Sequence, residues 1–384
     1  MGSFDFDTVI DRRDTASVKW DKYQGRDIIP LWVADMDFPS PPAVIAALHE
    51  RVSHGVFGYT SAPPELPATV VASLAAEFGW QVDPEWLVWL PGLVTGLNVA
   101  CRAVGSVGDE VLSFVPVYPP FLSAPRLNDR TLVKVPLVLD GGRWAPDFDA
   151  LTLAITPRTR LLLLCNPHNP VGRAWTAEEL TRTAEVAEEH DLVICSDEIH
   201  AGLVLDEHTR HIPIATISPE TARRTITLQA PSKTFNVPGL GCSFAVIGDR
   251  TLRRAFHQAM GRLVPHVNTL GYTAALAAYR DGEPWHQELL AYLRANRDLV
   301  EAEVATMPGV TMTHVEATYL AWIDVRPAGI ERPGHFFEEA GVGLSDGAEF
   351  DLPGFVRLNF GCSRSLLVEA LGRMRKALTR QLSP

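Results

Sequence analysis

The chain has 384 residues, and its 34 lysines and arginines stand against 46 aspartates and glutamates, a formal net charge of −12. That sign argues against a nucleic-acid partner, because a phosphate backbone is bound by a basic face. Hydrophobic residues at 46% and charged residues at 21% sit near globular averages, so one large or two ordinary domains can form without disulfide or metal staples. The N-terminal segment to about residue 40 holds Pro30, Pro39, Pro41 and Pro42 nearby and has too little periodicity for its own core. It is expected to pack on a smaller domain. Its opening, MGSFDFDTVIDRRD, puts acids where a signal peptide carries basic and then apolar residues. No apolar run approaches bilayer-spanning length. These features predict a soluble, cytoplasmic protein with no membrane partner.

Further along, Pro91-Gly92-Leu93-Val94-Thr95-Gly96-Leu97 reads as a Gly-bounded turn opening an apolar helix (Leu97, Ala100, Cys101, Val104). VLSFV (111–115), LLLLC (161–165), LVICS (192–196) and ITLQA (226–230) are short, nearly all apolar and bounded by turn residues, which predicts buried strands. Between the second and third, residues 176–190 predict a helix, with a Thr176–Glu179 capping box and an apolar face of Ala177, Leu180, Ala184 and Ala187. Strand, helix, strand, repeated, predicts an α/β fold whose large domain holds a mostly parallel sheet flanked by helices. The C-terminal portion predicts a long helix over 283–307, strands at 318–325 and 355–360, and a last helix near 366–378. It reads as a smaller α+β domain joined by the N-terminal segment, giving 45–282 as the large domain and 1–44 with 283–384 as the small one.

In an open parallel sheet, ligands bind beyond the carboxyl ends of the strands. Each apolar run is followed there by a polar or aromatic group: Tyr118 after the first, Asn169 after the second, Asp197 after the third, Lys233 after the fourth. Topology alone brings these four to one crevice. A lysine amine forms a Schiff base with a carbonyl compound once burial helps it to be neutral. A buried carboxylate asks for a cationic partner, which a protonated pyridine nitrogen supplies. An aromatic ring stacks on such a heterocycle, and an asparagine amide donates to a phenolate oxygen. Pyridoxal 5′-phosphate requires this set, and the helix opening at Leu93 offers backbone N–H groups to its phosphate.

The chain resembles fold-type I pyridoxal-phosphate enzymes of the class I/II aminotransferase superfamily, in their C–S lyase branch of the cystathionine β-lyase type. FDTVIDRRDTASVKWDKY (6–23), WVADMDF (32–38), GYT (58–60), PVYPPF (116–121), NPHNPVG (166–172), SDEIH (196–200), SKTFN (232–236), TYLAW (318–322) and VRLNFGCSR (356–364) carry the resemblance almost end to end. It implies a seven-stranded-type sheet, with Lys233 as the Schiff-base lysine and proton carrier. Asp197 becomes the pyridinium partner, Asn169 the donor to the ring oxygen and Tyr118 the stacking aromatic. Leu93, Val94, Thr95 and Ser232 become phosphate-cradle positions, and Arg357 the clamp on the substrate carboxylate. Trp32 and Asp35 fall on the substrate side, and His200 on the cofactor side. Tyr59 matches a tyrosine that reaches a neighbouring subunit's phosphate, so a homodimer is implied. Three departures stand out: Gly202 where the branch often has an acid, no arginine shortly after Lys233, and a shortened loop over 347–354 beside the substrate.

Plainer readings exist for each residue. Lys233 could be a surface lysine, Asp197 a helix N-cap, Asn169 the holder of an Asn-Pro turn, Tyr118 a packed loop aromatic and Arg357 half of a structural ion pair. For His200 a satisfied core histidine is preferred to a contact near the ring oxygen. Trp285 and Trp322 read as core. The five cysteines form no C-x-x-C pair, and His208, His211 and His266 lack ligand spacing, so neither a disulfide framework nor a metal site is expected. The expected activity is β-elimination from L-cystathionine or another cysteine S-conjugate, giving a thiol, pyruvate and ammonia. An aminotransferase, a biosynthetic tailoring variant and a catalytically idle binding protein on the same fold remain alternatives.

Overall fold

The protein is seen here as a computed structural model, which describes residues 4–382. Eight strands form the large sheet: β1 (Leu87–Leu90), β2 (Glu110–Val115), β3 (Thr131–Asp140), β4 (Arg143–Pro146), β5 (Thr159–Cys165), β6 (Val193–Asp197), β7 (Thr225–Gln229) and β8 (Ser243–Val246). Their order is β1-β8-β7-β6-β5-β2-β3-β4. The five central strands β7, β6, β5, β2 and β3 are mutually parallel. β8 runs antiparallel to both β7 and β1, so β1 points the same way as the central five. Eight strands replace the expected seven-stranded type, because the chain turns back at Gly141 and Gly142, both at positive φ, and adds β4 antiparallel to β3 at the edge. Of these, β2, β5, β6 and β7 are buried almost throughout because helices cover both faces.

On one face lies α1 (Leu93–Ala103), which enters straight from β1. Gly96 lets it close on the sheet, since a Cβ there would sit 2.9 Å from the Leu228 side chain. On the other face, α2 (Ala177–Glu189) starts at the expected box: Thr176 Oγ1 accepts from Glu179 N, and Glu179 Oε2 accepts from Thr176 N at 2.8 Å. Leu180, Ala184 and Ala187 are its buried stripe.

A second sheet, all antiparallel, contains β9 (Thr311–Met312), β10 (Leu320–Asp324), β11 (Ser345–Asp346) and β12 (Phe355–Asn359) in the order β9-β10-β12-β11. Helices α3 (Glu283–Val304) and α4 (Arg364–Gln381) bury Leu289, Leu293, Leu371 and Met374 in the core beneath it. The N-terminal segment joins this part as expected: Ile29–Pro30 pairs in parallel with Val342–Gly343, and Phe6, Ile29 and Leu31 enter the same core. Trp322 and Phe355 stack at 5.1 Å and share a core with Phe114, Leu162 and Trp175 of the large part. That shared core sets β12, and Arg357 on it, at the carboxyl edge of the large sheet. Trp285 is buried as well. All five cysteines are free and buried. Among the described residues no helix is long and apolar enough to cross a membrane, and no cluster of histidine, cysteine or acidic groups could hold a metal ion.

Candidate active site

The carboxyl ends of β1, β2, β5, β6 and β7 open onto one cleft with about 240 Å³ of water-accessible space. Lys233 lies on the short helix Pro231–Thr234 that follows β7, and its Nζ donates to the Ala34 carbonyl at 2.5 Å. Burial lowers its amine to about 8; Asp35 and Asp197 oppose that fall, and Arg357 adds to it. Asp197 ends β6 and is 4% exposed. It accepts a hydrogen bond from Ile199 N at 3.1 Å, and burial raises its carboxyl to about 7. A carboxylate so enclosed and so thinly partnered calls for a cation.

Tyr118 caps the helix Pro119–Leu127 that follows β2, and its N–H donates to the Asn169 carbonyl at 3.1 Å. Asn169 Oδ1 accepts from Arg357 Nη1 at 3.0 Å, which leaves Nδ2 as the donor Asn169 can offer a ligand. Arg357 Nη2 donates to the Trp32 carbonyl at 2.9 Å and to Ser345 Oγ at 3.3 Å, while its guanidinium lies 4.6 Å from the Phe350 ring centroid. Its Nε finds no partner among the described residues, and burial lowers the guanidinium to about 10. No carboxylate bonds this guanidinium, so the structural ion pair is absent among the described residues. The arrangement presents an open cation to an incoming anion.

Lys233, Asp197, Asn169, Tyr118, Arg357, His200, Ser232, Leu93 and Val94 therefore share the cleft wall. The structure differs from expectation at Thr95, Trp32, Asp35 and His200. Thr95 does not line the cleft, although its N–H, like those of Leu93 and Val94, precedes the first helical hydrogen bond, Gly96 N to Gly92 O. Trp32 and Asp35 do not line it either. Trp32 contributes its carbonyl, which holds Arg357 and Ser345. Asp35 pairs with Arg12 at 2.7 Å and Lys19 at 3.6 Å, and so fixes the segment that carries Ala34. Tyr59 is fully exposed in a separate hollow with Phe57 and residues 265–270. His200 departs from a satisfied core histidine: its buried Nδ1 finds no partner among the described residues, and the residue lines the cleft. The 347–354 loop reaches the site through Phe350, whose carbonyl accepts from Val117 N.

The residues present fit pyridoxal 5′-phosphate. The thinly partnered Asp197 suits a pyridinium nitrogen, Lys233 is an amine close to neutrality, and the opening of α1 offers unbonded N–H groups beside Ser232. Sequence reasoning missed Ala34, Ser345 and Tyr319, the last of which donates to the same Ala34 carbonyl at 2.9 Å. A carbonyl has no side-chain signature, and only the WVADMDF and TYLAW motifs could have pointed there.

Comparison with known proteins agrees. Residues 26–374 match the family model described as aminotransferase class I and II. Cystathionine beta-lyase PatB of Bacillus subtilis (strain 168) is 39% identical over 97% of this chain and 100% of its own length. The crystal structure of OvoB superposes with a TM-score of 0.96 at 47% identity, covering 98% of this chain and 99% of that one. Cystalysin from Treponema denticola, whose crystal structure contains a pyridoxal 5′-phosphate cofactor, superposes with a TM-score of 0.94 at 31% identity over 98% and 99%. With a family match spanning most of its length and a relative this similar from end to end, the chain belongs to the class I and II aminotransferase family.

Proposed function

We propose that this chain is a pyridoxal-phosphate-dependent C–S β-lyase that cleaves L-cystathionine or a related cysteine S-conjugate to a thiol, pyruvate and ammonia. The observation that carries the reading is the meeting of Lys233, Asp197, Asn169 and Arg357 in one cleft of a chain 39% identical, end to end, to a cystathionine beta-lyase. In this reading Lys233 Nζ is the cofactor's attachment point, Asp197 faces its ring nitrogen, Asn169 Nδ2 its ring oxygen and Tyr118 its ring face. The N–H groups of Leu93, Val94 and Thr95, together with Ser232, face its phosphate, and His200 borders the ring as an uncharged imidazole, since burial holds it well below its ordinary range.

Bound there, pyridoxal phosphate supplies an electron sink conjugated to the substrate amine. Arg357 donates to the α-carboxylate, and Asn169, Trp32 and Ser345 hold the guanidinium so that the Cα–H bond presents itself to one side. Lys233, whose amine would be freed once the substrate amine takes its place on the cofactor and is neutral above about pH 8, would take the Cα proton. The Cβ–S bond then breaks with its electron pair on sulfur, and Lys233 returns a proton to the departing thiolate. The remaining three-carbon fragment hydrolyses to pyruvate and ammonia.

A homodimer is part of the proposal, supported by the exposed Phe57 and Tyr59. So is a reducing, cytoplasmic setting, supported by five free cysteines. The division into 45–282 and 1–44 with 283–384 is supported by the separation of the eight-stranded sheet from the four-stranded one and from the pairing of Ile29–Pro30 with Val342–Gly343. Incubation with L-cystathionine and no keto acid should release pyruvate and thiol in equal amounts, and Lys233→Ala should abolish both. Amine exchange that depends on an added keto acid, with no free thiol, would make the enzyme an aminotransferase instead.

A further inference from the structure

Behind Asp197 lies a second carboxylate that the proposed chemistry does not use. Glu198 is 1% exposed, and its backbone N–H donates to the Leu228 carbonyl at 2.9 Å, so its side chain is anchored between β6 and β7. Its Oε1 accepts from Ser196 Oγ at 2.9 Å and from Ile214 N at 3.2 Å. Its Oε2 accepts from His211 Nε2 at 2.9 Å and from Gln229 Nε2 at 3.3 Å. Four donors converge on two oxygens, the arrangement a carboxylate needs and a protonated carboxyl group would spoil. The only titratable donor is His211. Its Nδ1 is buried and finds no acceptor among the described residues, while the Phe78 ring packs edge-on at 5.2 Å. An imidazolium would strand a buried N–H there, so the geometry favours the neutral ring with its proton on Nε2. Glu198 is then a buried anion served by neutral donors only.

We infer that Glu198 is a positioning residue that acts through Asp197: its fixed negative charge, one residue along the chain, makes the Asp197 carboxylate a stronger holder of the cofactor's ring-nitrogen proton. Asp197 is also faced by Lys233, Tyr118, Cys165 and Cys195. Of these Lys233 is the cation, and it leaves that role as its amine turns neutral or forms its bond to the cofactor. The thiols are pushed up by burial and stay uncharged. Glu198 is therefore the constant charge in the surroundings of Asp197. Two unit charges several ångströms apart at an effective dielectric near 20 interact by enough to move a carboxyl group by on the order of one pH unit.

The inference rests on the reading that Asp197 faces the ring nitrogen, and the test separates the two. Holoenzyme reconstituted with cofactor labelled with ¹⁵N at the ring is titrated by NMR. In Glu198→Gln the pH at which the ring nitrogen loses its proton should fall by about one unit, and Glu198→Asp, which keeps the charge, should largely restore it. Asp197→Asn is the control: if it leaves that titration untouched, the underlying reading fails, whatever Glu198 does. If Asp197→Asn shifts the titration and Glu198→Gln does not, Glu198 is structural and the inference falls, even where turnover drops. Should Glu198→Gln fail to fold, infrared difference spectra of holoenzyme that keeps Glu198, with ¹³C-labelled glutamate, decide. With Glu77, whose carboxyl burial raises to about 7, removed by Glu77→Gln in the same sample, a protonated-glutamate band near neutral pH overturns the inference and its absence supports it.

Discussion

At the scale of the residue, the site is built from charges that the chain itself leaves incompletely paired. Arg357 is fixed by one amide, one carbonyl and one hydroxyl, none of which offsets its charge, so the fork is available to a carboxylate. Arg357→Lys keeps the charge and loses the two-pronged geometry. Its KM for the amino-acid substrate should rise roughly 10- to 100-fold with a smaller change in kcat, read from steady-state kinetics. Asp197 yields a stability prediction with a definite sign. Its carboxyl is raised from 3.8 to about 7 in the folded chain, so the folded state holds a proton that the unfolded state has already lost. Its contribution is intact below about pH 4 and is lost as pH rises towards 7, by roughly 4 kcal/mol at the upper end. Thermal melts of the cofactor-free chain should therefore fall between pH 5 and 8 more steeply than those of Asp197→Asn, and pyridoxal phosphate should close the gap. The residues that follow each central strand were legible in the sequence because strand ends in a parallel sheet all open on one edge. Glu198 and Ala34 were not, since the partners of the one lie 13 and 31 positions away and the other acts through its backbone.

At the scale of the element, legibility followed burial. The four apolar runs form strands within two residues of their expected limits because both faces of the sheet are covered and the whole run had to be apolar. β3 escaped notice because it is half exposed and interrupted by Pro136, so neither a continuous apolar run nor a clean alternation marks it. The loop after β5 shows how an element places a side chain. Gly172 stands at φ +72°, and its carbonyl accepts from Glu316 N and Ala317 N at 2.9 Å each. Arg173 next to it, 1% exposed, reaches Glu316 at 3.0 Å and Glu179 at 2.8 Å. The loop carrying Asn169 is thereby tied both to the segment leading into β10 and to the first turn of α2. A Cβ on Gly172 would sit 2.9 Å from Val315 Cγ1 in a backbone conformation that side chains rarely adopt. Gly172→Ala should destabilise the fold by about 1–3 kcal/mol and loosen cofactor binding, seen as a lower melting temperature and faster loss of cofactor absorbance on dialysis. Unchanged cofactor retention would separate the tie from the position of Asn169.

At the scale of the whole molecule, the cleft is bordered by a surface that a single chain leaves uncovered. Phe57 and Tyr59 are exposed in a hollow that includes Asn268, and Gly241, which lines the cleft beside the opening of α1, lies close enough that a Cβ on it would sit 3.8 Å from Asn268. The exposed aromatics thus flank the end of the cleft assigned to the phosphate without entering it. The sequence suggested Tyr59 by resemblance alone, because a residue that acts on a second copy has no spacing relation to the groups it joins. The homodimer with shared sites proposed above makes a quantitative prediction. Lys233→Ala and Tyr59→Ala proteins should each be impaired as homodimers. In a mixed dimer, one site loses both residues, while the other combines an intact Lys233 with Tyr59 of the partner subunit. After subunit exchange at equal concentrations, half the dimers are mixed, so roughly a quarter of native sites should return, measured as pyruvate release from L-cystathionine. If Tyr59 instead serves its own chain, each site in a mixed dimer still lacks one residue and mixing restores nothing, a result that would leave the exposed hollow without a part in catalysis.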